Sequence, residues 1–169
     1  MPSARENRIE AEHFSADIAA FIRLLDKHGV RCMLVGGEAV IFHGHVRFTG
    51  DVDFFYSADA GNAKALFQAL LEFWGGDIPG IQREEELLEP AIVIQFGRPP
   101  NRIDLLNRID GVTFDEAWSG RITAVMASHE GEVPLSILSL PELLKNKRAS
   151  GRPKDLEDLQ FFDQAQPGN

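Results

Sequence analysis

The sequence predicts one domain of mixed α and β elements. Three observations carry that reading. The 169 residues are 44% hydrophobic and 25% charged, the balance of a soluble globular domain. Segments whose apolar residues recur at helical spacing alternate with short apolar or alternating runs that read as strands. A C-terminal helical segment, residues 141–163, follows, with a proline at the start of each of its two helices. At this size about two thirds of the unfolded chain's surface is buried on folding, enough for a core without a disulfide or metal staple. No repeat, low-complexity tract or linker divides residues 1–169, so a single domain is expected.

Residues 1–14 are expected to be a flexible start, polar and without an apolar signal-peptide core. Over 15–28, Ile18, Phe21, Ile22, Leu24 and Leu25 keep helical spacing, with Ser15 as N-cap and Gly29 as stop. A short buried strand over 31–35 runs into Gly36-Gly37, and helical spacing resumes over 38–43. Residues 51–56 read as a strand with Val52 and Phe54 on one face and Asp51, Asp53 and Phe55 on the other.

Ser57 is expected to cap a long amphipathic helix that carries Ala63, Leu66, Phe67, Leu70, Leu71 and Trp74 and ends at Gly75-Gly76. The acidic run Glu84, Glu85, Glu86 and Glu89 reads as solvated surface. Strands over 91–96 and 102–107, joined by the breaker-rich 97–101, should pair antiparallel. A helical turn over 113–118 precedes strands over 121–126 and 133–138, and helices over 141–148 and 153–162 break at Gly151.

Composition excludes several classes. Cys32 is the only cysteine, so neither a disulfide scaffold nor a Cys-rich zinc module is compatible with the chain. No run approaches the roughly 18 apolar residues of a membrane span, and a cytoplasmic, membrane-free protein is expected. Seventeen Lys and Arg against 26 Asp and Glu leave a net charge of -9, which opposes general attraction to nucleic acid or anionic membrane.

The chemistry concentrates in Gly36-Gly37, Thr49 and Asp51-Val52-Asp53. Two carboxylates two residues apart on a strand share a face, and their repulsion is relieved by solvent or by a hard cation such as Mg²⁺ or Mn²⁺. Gly36-Gly37 reads either as a tight strand-to-helix turn or as a place where backbone N-H groups approach phosphate. Asp104, between apolar neighbours on a strand, is costly unless it binds a cation, pairs with Arg102 or Arg108, or lies on an exposed edge.

Taken together, Gly36-Gly37, the spacing to Asp51-Val52-Asp53-Phe54 and the later Ile103-Asp104-Leu105 resemble the nucleotidyltransferase superfamily that includes DNA polymerase beta. Arg47-Phe48-Thr49-Gly50-Asp51 and the tail from Leu143 to Leu156 resemble its small prokaryotic members, some of them in toxin-antitoxin systems. The resemblance implies a mixed β-sheet flanked by helices. It implies Asp51, Asp53 and Asp104 as catalytic metal ligands for two Mg²⁺ (or Mn²⁺) ions. Nucleotide contacts would come from Gly36, Gly37, Thr49, Lys147, Arg148 and Arg152. The implied reaction moves a nucleoside monophosphate from an NTP to an acceptor hydroxyl, the acceptor being a protein, an RNA or a small molecule. Many active members carry Gly-Ser where this chain has Gly36-Gly37, so a phosphate-contacting hydroxyl is missing there; Gly-Gly does occur in the small members.

Five of the 17 cations, Lys145, Lys147, Arg148, Arg152 and Lys154, fall within ten positions. They are expected to meet the triphosphate, with helix-dipole compensation and a Lys154–Asp158 pair as the competing account of Lys145 and Lys154. His43 and His45 lack a zinc pattern and read as helix-end surface, Asp110 as a turn residue, and Trp74 and Trp118 as core. Three functions remain: an active nucleotidyltransferase; a weak or inactive module of that fold acting through a protein partner, as in a toxin-antitoxin pair; and a structural domain with surface acids.

Overall fold

Apolar periodicity sets the elements found in a computed structural model, which describes residues 7–165. In chain order they are β1 (Arg8–Glu10), α1 (Ala16–Lys27), β2 (Cys32–Val35), α2 (Gly36–Phe42), β3 (Asp51–Tyr56), α3 (Ala60–Phe73), β4 (Val93–Phe96), β5 (Arg102–Leu106), α4 (Phe114–Gly120), β6 (Ile122–Ser128), β7 (Gly131–Ile137), α5 (Leu140–Ser150) and α6 (Pro153–Ala165). The strands form one mixed seven-stranded sheet in the order β1-β6-β7-β2-β3-β5-β4. β2–β3, β4–β5 and β6–β7 are antiparallel pairs, whereas β1–β6, β2–β7 and β3–β5 run parallel.

Period-two alternation gives β3 two roles. Phe54 points to the side where Phe21 of α1 meets it edge-on at 5.5 Å, and Phe21 in turn meets Phe73 of α3 at 5.2 Å. Phe55 points the other way, onto Phe114 of α4. Asp51 and Asp53 share that second face. Phe21, Phe54, Phe55 and Tyr56 are all buried, so β3 is anchored by its C-terminal half while its first residues border the cleft.

Two expectations are corrected and a third is extended. The start is not flexible over 8–14: β1 pairs parallel with β6, Phe14 is buried, and His13 Nε2 lies 2.7 Å from the buried Glu38 carboxylate. Residues 1–6 lie outside the described part. α3 is capped by Asp59, which accepts from the Asn62 N-H at 2.9 Å, while Ser57 donates to that Asp59 carboxylate instead of capping. The acidic run is solvated as expected, yet it forms a 3-10 turn (Glu84–Leu88) whose Leu87 is buried and accepts the Tyr56 hydroxyl at 2.7 Å. Ser15 caps α1 and Thr113 caps α4 through their side chains. Among the described residues, no helix is long and apolar enough to cross a membrane.

Candidate active site

Strand register assembles the acids. Val35 pairs with Asp53 across β2 and β3, Asp53 with Asp104 across β3 and β5, and Asp104 with Gln95 across β5 and β4, while Asp51 pairs with Arg102. Side chains in register point to the same face, as do residues two apart along a strand. Asp51, Asp53, Arg102, Asp104 and Gln95 therefore project together, and one oxygen from each Asp lies within 4.8 Å of the other two. Asp104 is 5% exposed, on a strand covered on both sides by β3 and β4 and not on the sheet's edge.

Of the open alternatives for Asp104, pairing with Arg102 is present and the exposed edge is not. Asp104 joins the acid cluster and also accepts from Arg102, at 2.9 Å from Nε and 3.1 Å from Nη2. The same Nη2 donates to Asp51 at 2.7 Å, and Gln95 donates to Asp104 at 3.3 Å. Burial first, then the charges of Asp51 and Asp104, push the Asp53 carboxyl up to about 8. Burial raises Asp104 too, against the pull of the Arg102 hydrogen bond. Three acids share one guanidinium, and the rise of Asp53 and Asp104 shows that the cluster is short of positive charge. That shortage, together with an all-oxygen donor set, fits a hard divalent ion of the Mg²⁺ or Mn²⁺ class.

The double glycine is explained by what presses on it. Gly36 has φ 59°, and a Cβ there would overlap the Asp53 carboxylate. A Cβ on Gly37 would lie 2.5 Å from Thr49 Oγ1. Thr49 donates to the Asp51 carbonyl at 3.2 Å, which sets the entry into β3.

Two lobes meet over Asp51, Asp53 and Gly36. One, of about 370 Å³, is lined by Gly37, Arg47, Thr49, Arg152 and Lys154. The other, of about 440 Å³, is lined by Gln95, Arg102, Asp104, Arg108, Asp110 and Asn146. Arg152 faces both. Its guanidinium is 2.9 Å from Asp155, while Lys154 makes no ion pair among the described residues.

The remaining cations divide. Lys147, expected to meet the triphosphate, lines the smaller lobe but is 4% exposed and held between Asp155 at 3.0 Å and Asp158 at 2.9 Å, which offset its charge. Arg148 is exposed and lines neither lobe, because it lies on the solvent side of α5. Lys145 pairs with Glu116 at 3.3 Å. The expected Lys154–Asp158 pair does not form, since Asp158 is taken by Lys147 and Arg47.

His43 ends α2 as its C-cap and His45 follows two residues on, but both are half-buried and not open surface. His43 Nε2 meets the Leu138 carbonyl at 2.8 Å, and His45 stacks on Phe161 at 4.1 Å. Trp74 packs on Phe96, and Trp118 stacks on Phe114, as core residues do. Sequence reasoning missed Gln95 and the bridging role of Arg102. The signal for Arg102 was its position two residues before Asp104 on the same strand face.

A sequence profile described as a nucleotidyltransferase of unknown function (DUF6036) matches residues 15–163. No curated protein matches the chain. The matched span runs from the cap of α1 into α6 and takes in both lobes of the cleft, and the chain accordingly belongs to this family of nucleotidyltransferases.

Proposed function

We propose that the protein is a metal-dependent nucleotidyltransferase that moves a nucleoside monophosphate from an NTP to an acceptor hydroxyl. The observation that carries this is the convergence of Asp51, Asp53 and Asp104, each offering an oxygen within 4.8 Å of the others, beside a cleft with basic residues on its other wall. Asp51, Asp53 and Asp104 would hold the divalent ions. When bound, such ions lower the pKa of an acceptor hydroxyl and offset charge on the triphosphate and the leaving pyrophosphate.

The chain's own side chains supply position and charge. Arg152, Lys154 and the Thr49 hydroxyl, with the open backbone at Gly37, line the smaller lobe and receive the triphosphate. The larger lobe, with Gln95, Arg108 and Asn146, receives the acceptor. The acceptor oxygen forms a bond to the α-phosphorus, the bond from that phosphorus to the bridging oxygen breaks, and pyrophosphate leaves. The hydroxyl proton passes to a carboxylate of the cluster or to water.

One observation favours a second reading, a module of low turnover that works through a protein partner, as in a toxin-antitoxin pair. Val46 and Phe48, beside the cleft, are 84% and 78% exposed. An apolar pair held in solvent next to a substrate site is suited to a docking protein.

Calorimetric titration with each NTP and Mg²⁺, on wild type and on Asp51→Asn/Asp53→Asn, tests both readings against a purely structural domain. Magnesium-dependent binding that the mutant loses is expected. Pyrophosphate release with cell extract as acceptor source then separates transfer from binding alone. An absence of NTP binding in the wild type would sink both.

A further inference from the structure

We propose that Arg102 is a positioning residue for the divalent-ion site: its guanidinium holds Asp51 and Asp104 when no ion is bound and is displaced into the larger lobe when one binds. This deepens the metal-dependent reading above and rests on it.

Register makes the clasp. Arg102 is level with Asp51 on the neighbouring strand and two residues before Asp104 on its own, so one fork reaches both. Its hydrogen bonds run from Nη2 to Asp51 Oδ2 at 2.7 Å, from Nε to Asp104 Oδ1 at 2.9 Å and from Nη2 to Asp104 Oδ2 at 3.1 Å. A guanidinium that donates to both carboxylates lies between them, where a cation bridging the two would have to sit. The fork engages both Asp104 oxygens, and Gln95 donates to Oδ2 as well. Magnesium draws carboxylate oxygens to about 2.0–2.1 Å, closer than any N-H donor allows, and a fixed positive charge beside it opposes its entry.

Two cation clasps in this protein differ in whether they can open. Lys147 is 4% exposed between Asp155 and Asp158, and leaving would strand it and its partners without water. The Arg102 side chain is 31% exposed and that of Asp51 26%, so water weakens the clasp and rehydrates a departing guanidinium. Arg102 lines the larger lobe, which has room for it at about 440 Å³ and offers Asp110 as a further carboxylate. From there its charge faces the acceptor. Ion binding is therefore an exchange of one cation for another, and its apparent affinity is reduced by the fraction of time the clasp is closed.

A purely organising Arg102 makes the opposite prediction. If the fork only held repelling carboxylates in place, its loss would weaken ion binding. The test is titration of Mn²⁺ without nucleotide, by calorimetry and by the paramagnetic resonance of free Mn²⁺, on wild type, Arg102→Gln and Arg102→Lys. Arg102→Gln is expected to bind Mn²⁺ about tenfold more tightly, and its melting temperature to rise more on Mn²⁺ addition than that of wild type. Arg102→Lys, which keeps the charge but not the two-armed fork, should fall in between.

Equal or weaker Mn²⁺ affinity in Arg102→Gln overturns the proposal and leaves the metal reading intact. If Arg102→Gln does not fold, Arg102→Lys decides by the same comparison with wild type. Absence of Mn²⁺ binding in wild type and folded variants alike overturns the metal reading, and this proposal with it.

Discussion

Asp158, on the last helix, accepts both arms of the Arg47 guanidinium, at 2.9 and 3.0 Å, across 111 residues of chain. Lys147 reaches the same carboxylate at 2.9 Å, and His45 Nδ1 lies 3.1 Å from it. Thr49, two residues beyond Arg47, bonds to the start of β3. Residues 45, 47 and 49 thus fasten the stretch before Asp51, while Val46 and Phe48 between them face solvent. Through this fastening α5 and α6 become part of the wall that positions Asp51.

Asp158→Asn should be strongly destabilising, because it leaves Arg47 beside a neutral group and Lys147 with Asp155 alone. Removing one partner of a buried ion network costs about 3 kcal/mol or more. Denaturant unfolding of wild type and mutant measures it. A loss under about 1 kcal/mol would put the network in the class of surface pairs.

Acid should loosen the same network. Burial alone would raise Asp155 and Asp158, but hydrogen bonds from Arg152, Ser150 and Lys147 hold Asp155 well below the usual carboxylate range, and those from Arg47 and Lys147 hold Asp158 below it. A carboxyl depressed in the folded state binds fewer protons there than when unfolded. Its stabilisation is present above the unfolded value of about 3.9 and is lost as pH falls toward the folded value. The melting temperature should drop below about pH 4, and Asp155→Asn or Asp158→Asn should flatten that slope. An equally steep drop in both mutants would assign acid unfolding to other groups.

Much of this was readable in the sequence, and the exceptions share a cause. Asp51 and Asp53 on one face follow from period two, and the Ser15 cap and the antiparallel β4–β5 pair follow from local signals. Lys147 could not be placed that way. Its partners Asp155 and Asp158 lie beyond the Gly151 break, and only the packing of α5 against α6 brings them to its ammonium at the cleft wall. Asp104 was open for the same reason: its partners depend on β5 running beside β3, a register no local pattern encodes. Asp59 displaced Ser57 as cap because two suitable residues stand two positions apart, and the backbone chose the later one.

Gly37 and Thr49 should behave as a coupled pair. A side chain at 37 would meet the Thr49 hydroxyl at 2.5 Å, so Gly37→Ser forces one of them to move, at a cost of about 1–3 kcal/mol. Adding Thr49→Ala, which removes the 2.5 Å contact but keeps Cβ at 2.9 Å, should recover part of that loss, giving a double-mutant cycle with clear non-additivity. Thr49→Ala alone should weaken magnesium-dependent NTP binding by the value of one hydrogen bond, about 1 kcal/mol. Additive stability losses would mean that the two positions do not touch.

Asp53→Asn should end transfer while keeping the fold. The carboxylate sits under Gly36 with Asp51 and Asp104 around it, and an isosteric amide fills the same space with one charge fewer. Without metal the mutant should be as stable as wild type or slightly more so, since crowded like charges repel. Pyrophosphate release and thermal melting are the paired readouts. Wild-type turnover in the mutant would remove Asp53 from the metal ligands.

Val46→Ser/Phe48→Ser tests whether an acceptor protein docks beside the cleft. Both side chains project from a stretch whose alternate residues are bonded inward, so their exposure is imposed by the fold. Exchanging exposed apolar groups for serine should move stability by no more than about 0.5 kcal/mol. The cleft residues Arg47 and Thr49 are untouched, so NTP affinity with Mg²⁺ should be unchanged. If a protein docks on Val46 and Phe48 to present its hydroxyl, pyrophosphate release driven by cell extract should fall several-fold in the double mutant. If the acceptor enters through the larger lobe without help from these side chains, extract-driven release will match wild type, and the exposed pair has no part in the reaction.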